Sequence, residues 1–119
     1  MKIISPLIRI QEQLRVFHWQ SEKYSQHKAF GKAYEDLGDL IDSFVEMYMG
    51  KNGKIKAKLT YSIELDNFGE NYTDYINSYI AYLDSLNVEL DSEKDSDLLN
   101  IRDEMKAVLN RLKYLLSLS

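Results

Sequence analysis

Four amphipathic helices packed as an all-α bundle are what this chain predicts, and three observations carry the prediction. Apolar residues recur at alternating steps of four and three in four separate stretches, the period of helices packed at shallow angles in a bundle. Helix breakers are scarce, with Pro6 the only proline and 5 Gly in 119 residues,. The links between stretches run short, long, short, which gives two antiparallel pairs joined by a crossover. With 45% hydrophobic residues, the chain reads as one domain over residues 1–119 with a single core,.

The first stretch places Ile3, Leu7, Ile10, Leu14 and Phe17 on one face and ends near Ser21,. Ser5 is the expected N-cap with Pro6 in the first helical position, which leaves Ile3 just outside. The second stretch runs through Phe30, Tyr34, Leu37, Ile41, Phe44 and Tyr48, with Gly53 as its stop signal,. Tyr72, Ile76, Tyr79, Leu83 and Leu86 mark the third, and Leu98, Ile101, Met105, Val108, Leu112 and Leu115 the fourth. The last residues, LKYLLSLS, stay apolar, so the fourth helix is expected to pack to its end.

Residues 21–25 and 88–95 are the short links. Between the second and third helices lie about eighteen residues without helical period,. Extended, they reach roughly 60 Å, well beyond the roughly 36 Å expected for the second helix. Two short links flanking one long crossover is the connectivity of a ferritin-like four-helix bundle. Inside the crossover Leu59, Tyr61, Ile63 and Leu65 alternate with Thr60, Ser62 and Glu64, an extended segment expected to lie against the bundle,.

Several function classes drop out on composition. There is no Cys, which removes disulfides, zinc fingers and thiol nucleophiles. The net charge of -4 provides no basic field for nucleic acid,; the lysines of KNGKIKAK, residues 51–58, read as a solvated loop. The N-terminal apolar run breaks at Arg9 and no stretch approaches a membrane span, so a soluble, cytoplasmic protein is expected. No nucleotide-binding fingerprint and no Ser, His and acid arrangement is present. The third and fourth helices hold no His, which removes the Glu-x-x-His elements of a di-iron centre inside one bundle.

What remains is the stretch from His18 to Glu46, which carries both histidines and ends in Asp42 and Glu46. Their i,i+4 spacing puts both acids on one helix face. Two imidazoles and two carboxylates suit Fe(II), Mn(II) or Zn(II), provided that folding and assembly bring them together. Each histidine also has a structural reading: His18 near the last carbonyls of the first helix, His27 as a core-edge or capping residue. Ile8 and Trp19 lie nearly opposite the first seam, with Val16 between, and such a second apolar face points to a subunit interface. Gly31 and Gly38 sit a heptad apart beside Glu35, Asp42 and Glu46; the strip is either closely approached by another backbone or a solvated acidic face. Tyr72, Tyr75, Tyr79 and Tyr82 read as core and interface residues whose hydroxyls reach polar partners or solvent.

The His18–Trp19 pair, then His27 with Phe30 and Tyr34, then Asp42 and Glu46, resembles the pattern of the Dps family of miniferritins. The resemblance covers mainly the first fifty residues. It implies a ferroxidase-type iron site between two subunits, with His18 and His27 from one and Asp42 and Glu46 from its two-fold mate. This chain differs in a shorter link between the histidines, in Gly31 where the family carries an acid, and in lacking both the crossover helix and the basic tail. The stretch is also similar to small, uncharacterised phage-encoded proteins with an HW, HKA and DLIDSFVE pattern, for which no function follows.

The expectation is therefore a homo-oligomer formed through the first two helices that binds iron at the interface and oxidises it with peroxide or oxygen. The alternative is a non-catalytic helical oligomer, phage-encoded, that acts by binding another protein. Neither a membrane nor nucleic acid is an expected partner.

Overall fold

Phe17, Phe30, Phe44, Leu83 and Leu98 from the four predicted seams meet in one core, each fully sealed from solvent. The computed structural model describes residues 3–56 and 59–119. It contains α1 (Ile4–Gln20), α2 (Tyr24–Asn52), α3 (Tyr72–Glu89) and α4 (Ser96–Ser117), with no strand among the described residues. Ala57 and Lys58 of the basic loop lie outside the described residues.

The start of α1 departs from expectation. Helical geometry begins at Ile4, the cap position is Ile3, and no side chain caps the end. Ser5 and Pro6 are thus inside the first turn, where N–H groups lack intrahelical acceptors and the missing proton of proline costs nothing. Ile3 and Ile4 are both buried, which favours extending the helix to them.

α2 ends as predicted. Gly53 adopts φ 82 and donates its N–H to the Met49 carbonyl, a conformation that glycine reaches without Cβ strain. In α4 the buried face drifts from the predicted seam. Leu109 and Leu116 are buried while Val108 and Leu115 are only half-buried, as a straight helix of 3.6 residues per turn drifts against a strict 3.5 repeat. Leu116 holds the last turn in the core.

α1 packs on α2, α2 on α4, and α3 on α4. At one end of the bundle Lys51 of α2 pairs with Asp95 and Asp97 at the start of α4. The Tyr82 hydroxyl of α3 donates to the Ile3 carbonyl at that same end. The C-terminus of α1 and the N-termini of α2 and α3 therefore gather at the opposite end, where Phe17 meets Phe30 and Tyr75 edge-on.

The crossover runs alongside α1 in the same direction. Arg9 donates to the Glu64 carbonyl, Gln13 both donates to the Asp66 carbonyl (2.8 Å) and accepts from its N–H (2.7 Å), and Gln20 accepts from the Phe68 N–H. Eleven residues of α1, about 16 Å, are thus matched by four of the crossover, about 14 Å if extended. Residues 64–68 are therefore nearly straight chain laid on the bundle. Leu59, Tyr61 and Leu65 are exposed and Ile63 is half-buried, so the predicted apolar alternation does not pack and the crossover is held through its backbone instead.

Candidate functional site

His18 stands in the last turn of α1 and His27 in the first turn of α2, joined by a three-residue link, Ser21–Lys23. Their rings stack with centroids 3.9 Å apart. Each Nδ1 faces the other residue's backbone carbonyl, His18 to His27 at 2.6 Å and His27 to His18 at 2.8 Å. A carbonyl only accepts, so both Nδ1 atoms must carry the proton, and in the neutral ring Nε2 is left as a lone pair. Among the described residues neither Nε2 has a hydrogen-bond partner. The His18 carbonyl is one of the C-terminal groups of α1 that lack an intrahelical donor, and His27 supplies one.

Gly31 makes this exchange sterically possible. The His27 carbonyl already accepts the Gly31 N–H within α2, and a second donor must approach past position 31. A Cβ there would lie 2.7 Å from His18 Cε1 and 2.8 Å from Nδ1. One heptad along, the same arrangement repeats: Gln11 donates to the Tyr34 carbonyl at 3.4 Å, and a Cβ at Gly38 would lie 2.5 Å from Gln11 Nε2. The two glycines are thus approached by side chains of α1, not by another backbone. Of the two readings of the strip, this corrects, within one chain, the one that put a backbone close against the glycines. The signal was present in the heptad spacing of Gln11 and His18, which matches that of Gly31 and Gly38.

Arg15 completes the face between these two pairs. Its guanidinium lies over the Tyr34 ring at 5.1 Å and Trp19 at 5.8 Å, and pairs with Glu12 at 3.6 Å. Its Nε is sealed without a partner among the described residues. Tyr34 lies 5.4 Å from the His18 ring, and Tyr24, 73% exposed, lies 6.4 Å from the His27 ring, so aromatic surface adjoins both imidazoles.

Asp42 and Glu46 are exposed on α2. Fifteen and nineteen residues beyond His27, they lie about 22 and 28 Å along the helix axis from it. One chain brings the imidazoles together and keeps the carboxylates apart from them; no group of three or more His, Asp or Glu suited to a metal occurs among the described residues.

Of the tyrosines of α3, Tyr75 donates to Asp66 and Tyr82 to the Ile3 carbonyl, and burial pushes the Tyr82 hydroxyl up to about 12. Tyr79 departs from expectation: its hydroxyl is buried without a partner among the described residues, and that burial raises it further still.

Residues 18–116 match the model of a family of unknown function, DUF5856. The chain belongs to this family. The DUF5856 region opens at His18 and contains His27, Asp42 and Glu46. An uncharacterised 14.6 kDa protein from the mobD-ri intergenic region of Enterobacteria phage T4 is 30% identical over 101 residues. That alignment spans 85% of this chain and 74% of the phage protein. No solved structure matches the chain, and no helix among the described residues is long and apolar enough to cross a membrane.

Proposed function

We propose that this DUF5856 protein self-associates through the α1–α2 face and holds a divalent transition metal between two copies. His18 and His27 of one copy and Asp42 and Glu46 of the other are the ligands. One observation carries the reading: both imidazoles have Nδ1 fixed on a backbone carbonyl and Nε2 without a partner among the described residues. A ligating histidine is oriented in this way, its other ring nitrogen donating to a carbonyl or carboxylate. The mixed nitrogen and oxygen donor set suits Fe(II), which in the finer, Dps-like and ferritin-like form of the proposal is a substrate oxidised by peroxide or oxygen. The ligand set is complete only across a two-fold axis. Co(II) titration tests it, since Co(II) in such a site gives visible d–d absorption. Absorption that saturates at one Co(II) per chain, and vanishes in His18→Ala and in Asp42→Ala alike, is the expected result.

A second reading rests on the same two bonds. The lacing of His18 and His27 ties α1 to α2 within one chain, which gives both rings a role without metal. The protein is then a non-catalytic helical oligomer that binds another protein. Native oligomers that leave the Co(II) spectrum unchanged from buffer would remove the first reading and leave the two histidines with the lacing role alone.

A further inference from the structure

At the end of the bundle where α2 and α3 begin, a cleft of about 560 Å³ opens between the α1–α2 link and the end of the crossover. Phe68 and Tyr72 line it, their rings stacked 5.7 Å apart at 10°. Gln26 forms part of its wall. This residue is only 8% exposed, yet its amide makes no hydrogen bond among the described residues. It is also absent from the side-chain atoms sealed off from solvent, so the surface it retains opens onto the cleft. The amide therefore meets water in the cleft, and a ligand entering there would take the place of that water as its hydrogen-bond partner.

The helix ends point to the sign of that partner. α2 starts after Lys23 and α3 after Asn71, and neither end carries a side-chain cap. The first intrahelical bond of α2 is His27 N–H to the Lys23 carbonyl, which leaves the N–H groups of Tyr24, Ser25 and Gln26 unpaired within the helix. Two helix N-termini at one cleft, with the Lys23 ammonium on the rim, favour an anion. Glu22 and Glu70 also line the rim; they repel a polyanion and leave a place for an ammonium group.

We propose that this cleft binds a carboxylate carried on an aromatic or apolar group, with the carboxylate at the α2 N-terminus against Gln26 and Lys23 and the apolar part on Phe68 and Tyr72. Its volume suits a ligand of amino-acid size. The carboxylate belongs either to a free amino acid or to the C-terminus of a polypeptide. The site stands apart from the metal reading and does not depend on it.

Three probes separate the outcomes on the native chain: phenylalanine, N-acetylphenylalanine and phenylalaninamide, titrated by calorimetry and followed by amide NMR. Binding of either carboxylate, with shifts at residues 24–26 and 72–73 and none from phenylalaninamide, is expected. Tighter binding of phenylalanine identifies a free amino acid as the source; tighter binding of the N-acetyl form identifies a chain terminus. Gln26→Leu should weaken the carboxylate about tenfold, the effect of one hydrogen bond to a charged group. Lys23→Gln, on the exposed rim, should weaken it several-fold without touching the fold. Equal response to phenylalaninamide, no binding of either carboxylate, or unchanged affinity in both variants overturns the proposal.

Discussion

His18 and His27 exchange hydrogen bonds through each other's backbone, Nδ1 to carbonyl in both directions at 2.6 and 2.8 Å, with their rings stacked at 3.9 Å. The pair is a latch between the end of one helix and the start of the next. In the neutral rings it also leaves a lone pair on each Nε2, so a latch and a ligand pair are two separable roles of the same side chains.

His27→Asn keeps an N–H donor close to the position of Nδ1 but has no second ring nitrogen. It should unfold within about 1 kcal/mol of the native chain, whereas His27→Leu loses the bond to the His18 carbonyl and should cost about 1–2 kcal/mol. Urea denaturation gives both values. Metal binding should fail in both variants, so stability and binding part company in His27→Asn.

Gly31 and Gly38 of α2 should respond in opposite directions. Gly31→Ala drives a methyl into a ring fixed by its own hydrogen bond, and overpacking of this kind costs about 1–3 kcal/mol. Gly38→Ala meets only the tip of Gln11, held by one 3.4 Å bond, which can swing aside. There the helix propensity of alanine should win by about 0.5–1 kcal/mol. A pair of thermal melts decides it, and destabilisation of equal size at both positions would remove the proposed role of the His18 ring.

Gln13 is fully buried and satisfies both the N–H and the carbonyl of Asp66. Gln13→Leu should strand both backbone groups and cost about 2–4 kcal/mol. Hydrogen exchange should then speed up at residues 64–68 before it does in the helices.

Acid should loosen the far end of the bundle. The hydrogen bond from Lys51 holds the Asp97 carboxyl below its ordinary 3.8, and the N–H groups of Lys94 and Glu93 do the same for Asp91. A depressed folded value means stability present above pH 3.8 and lost as pH falls through the folded value. The difference in Tm between the native chain and Lys51→Met should therefore shrink below about pH 4. It should be small at any pH, because these groups are exposed.

The seams were legible because burial repeats a side-chain type at a fixed period. Leu7, Leu14, Leu37, Leu83 and Leu98 could be read as core without any knowledge of their neighbours. Gln13 could not: a glutamine clamping a backbone two elements away has the same letter as one in water, and only its heptad spacing to Gln20 hinted at a shared strap. Gly31 and Gly38 were visible as a pair, but their cause sits on α1. Of the four candidate ligands, one chain joins His18 to His27 and holds Asp42 and Glu46 on an exposed face far from both; the meeting across two copies that we propose is not a pattern that one chain's sequence carries.

Mixing two defective chains tests the shared site most directly. One carries His18→Ala with His27→Ala, the other Asp42→Ala with Glu46→Ala, and each is titrated anaerobically with Fe(II) alone and after the two are unfolded and refolded together. Neither alone should bind. In a mixed two-fold dimer one site receives both sets of mutations and the other none, so the mixture should regain binding at about one site per mixed pair. No binding in a mixture that has refolded and associated as the native chain does would contradict a metal site shared between copies.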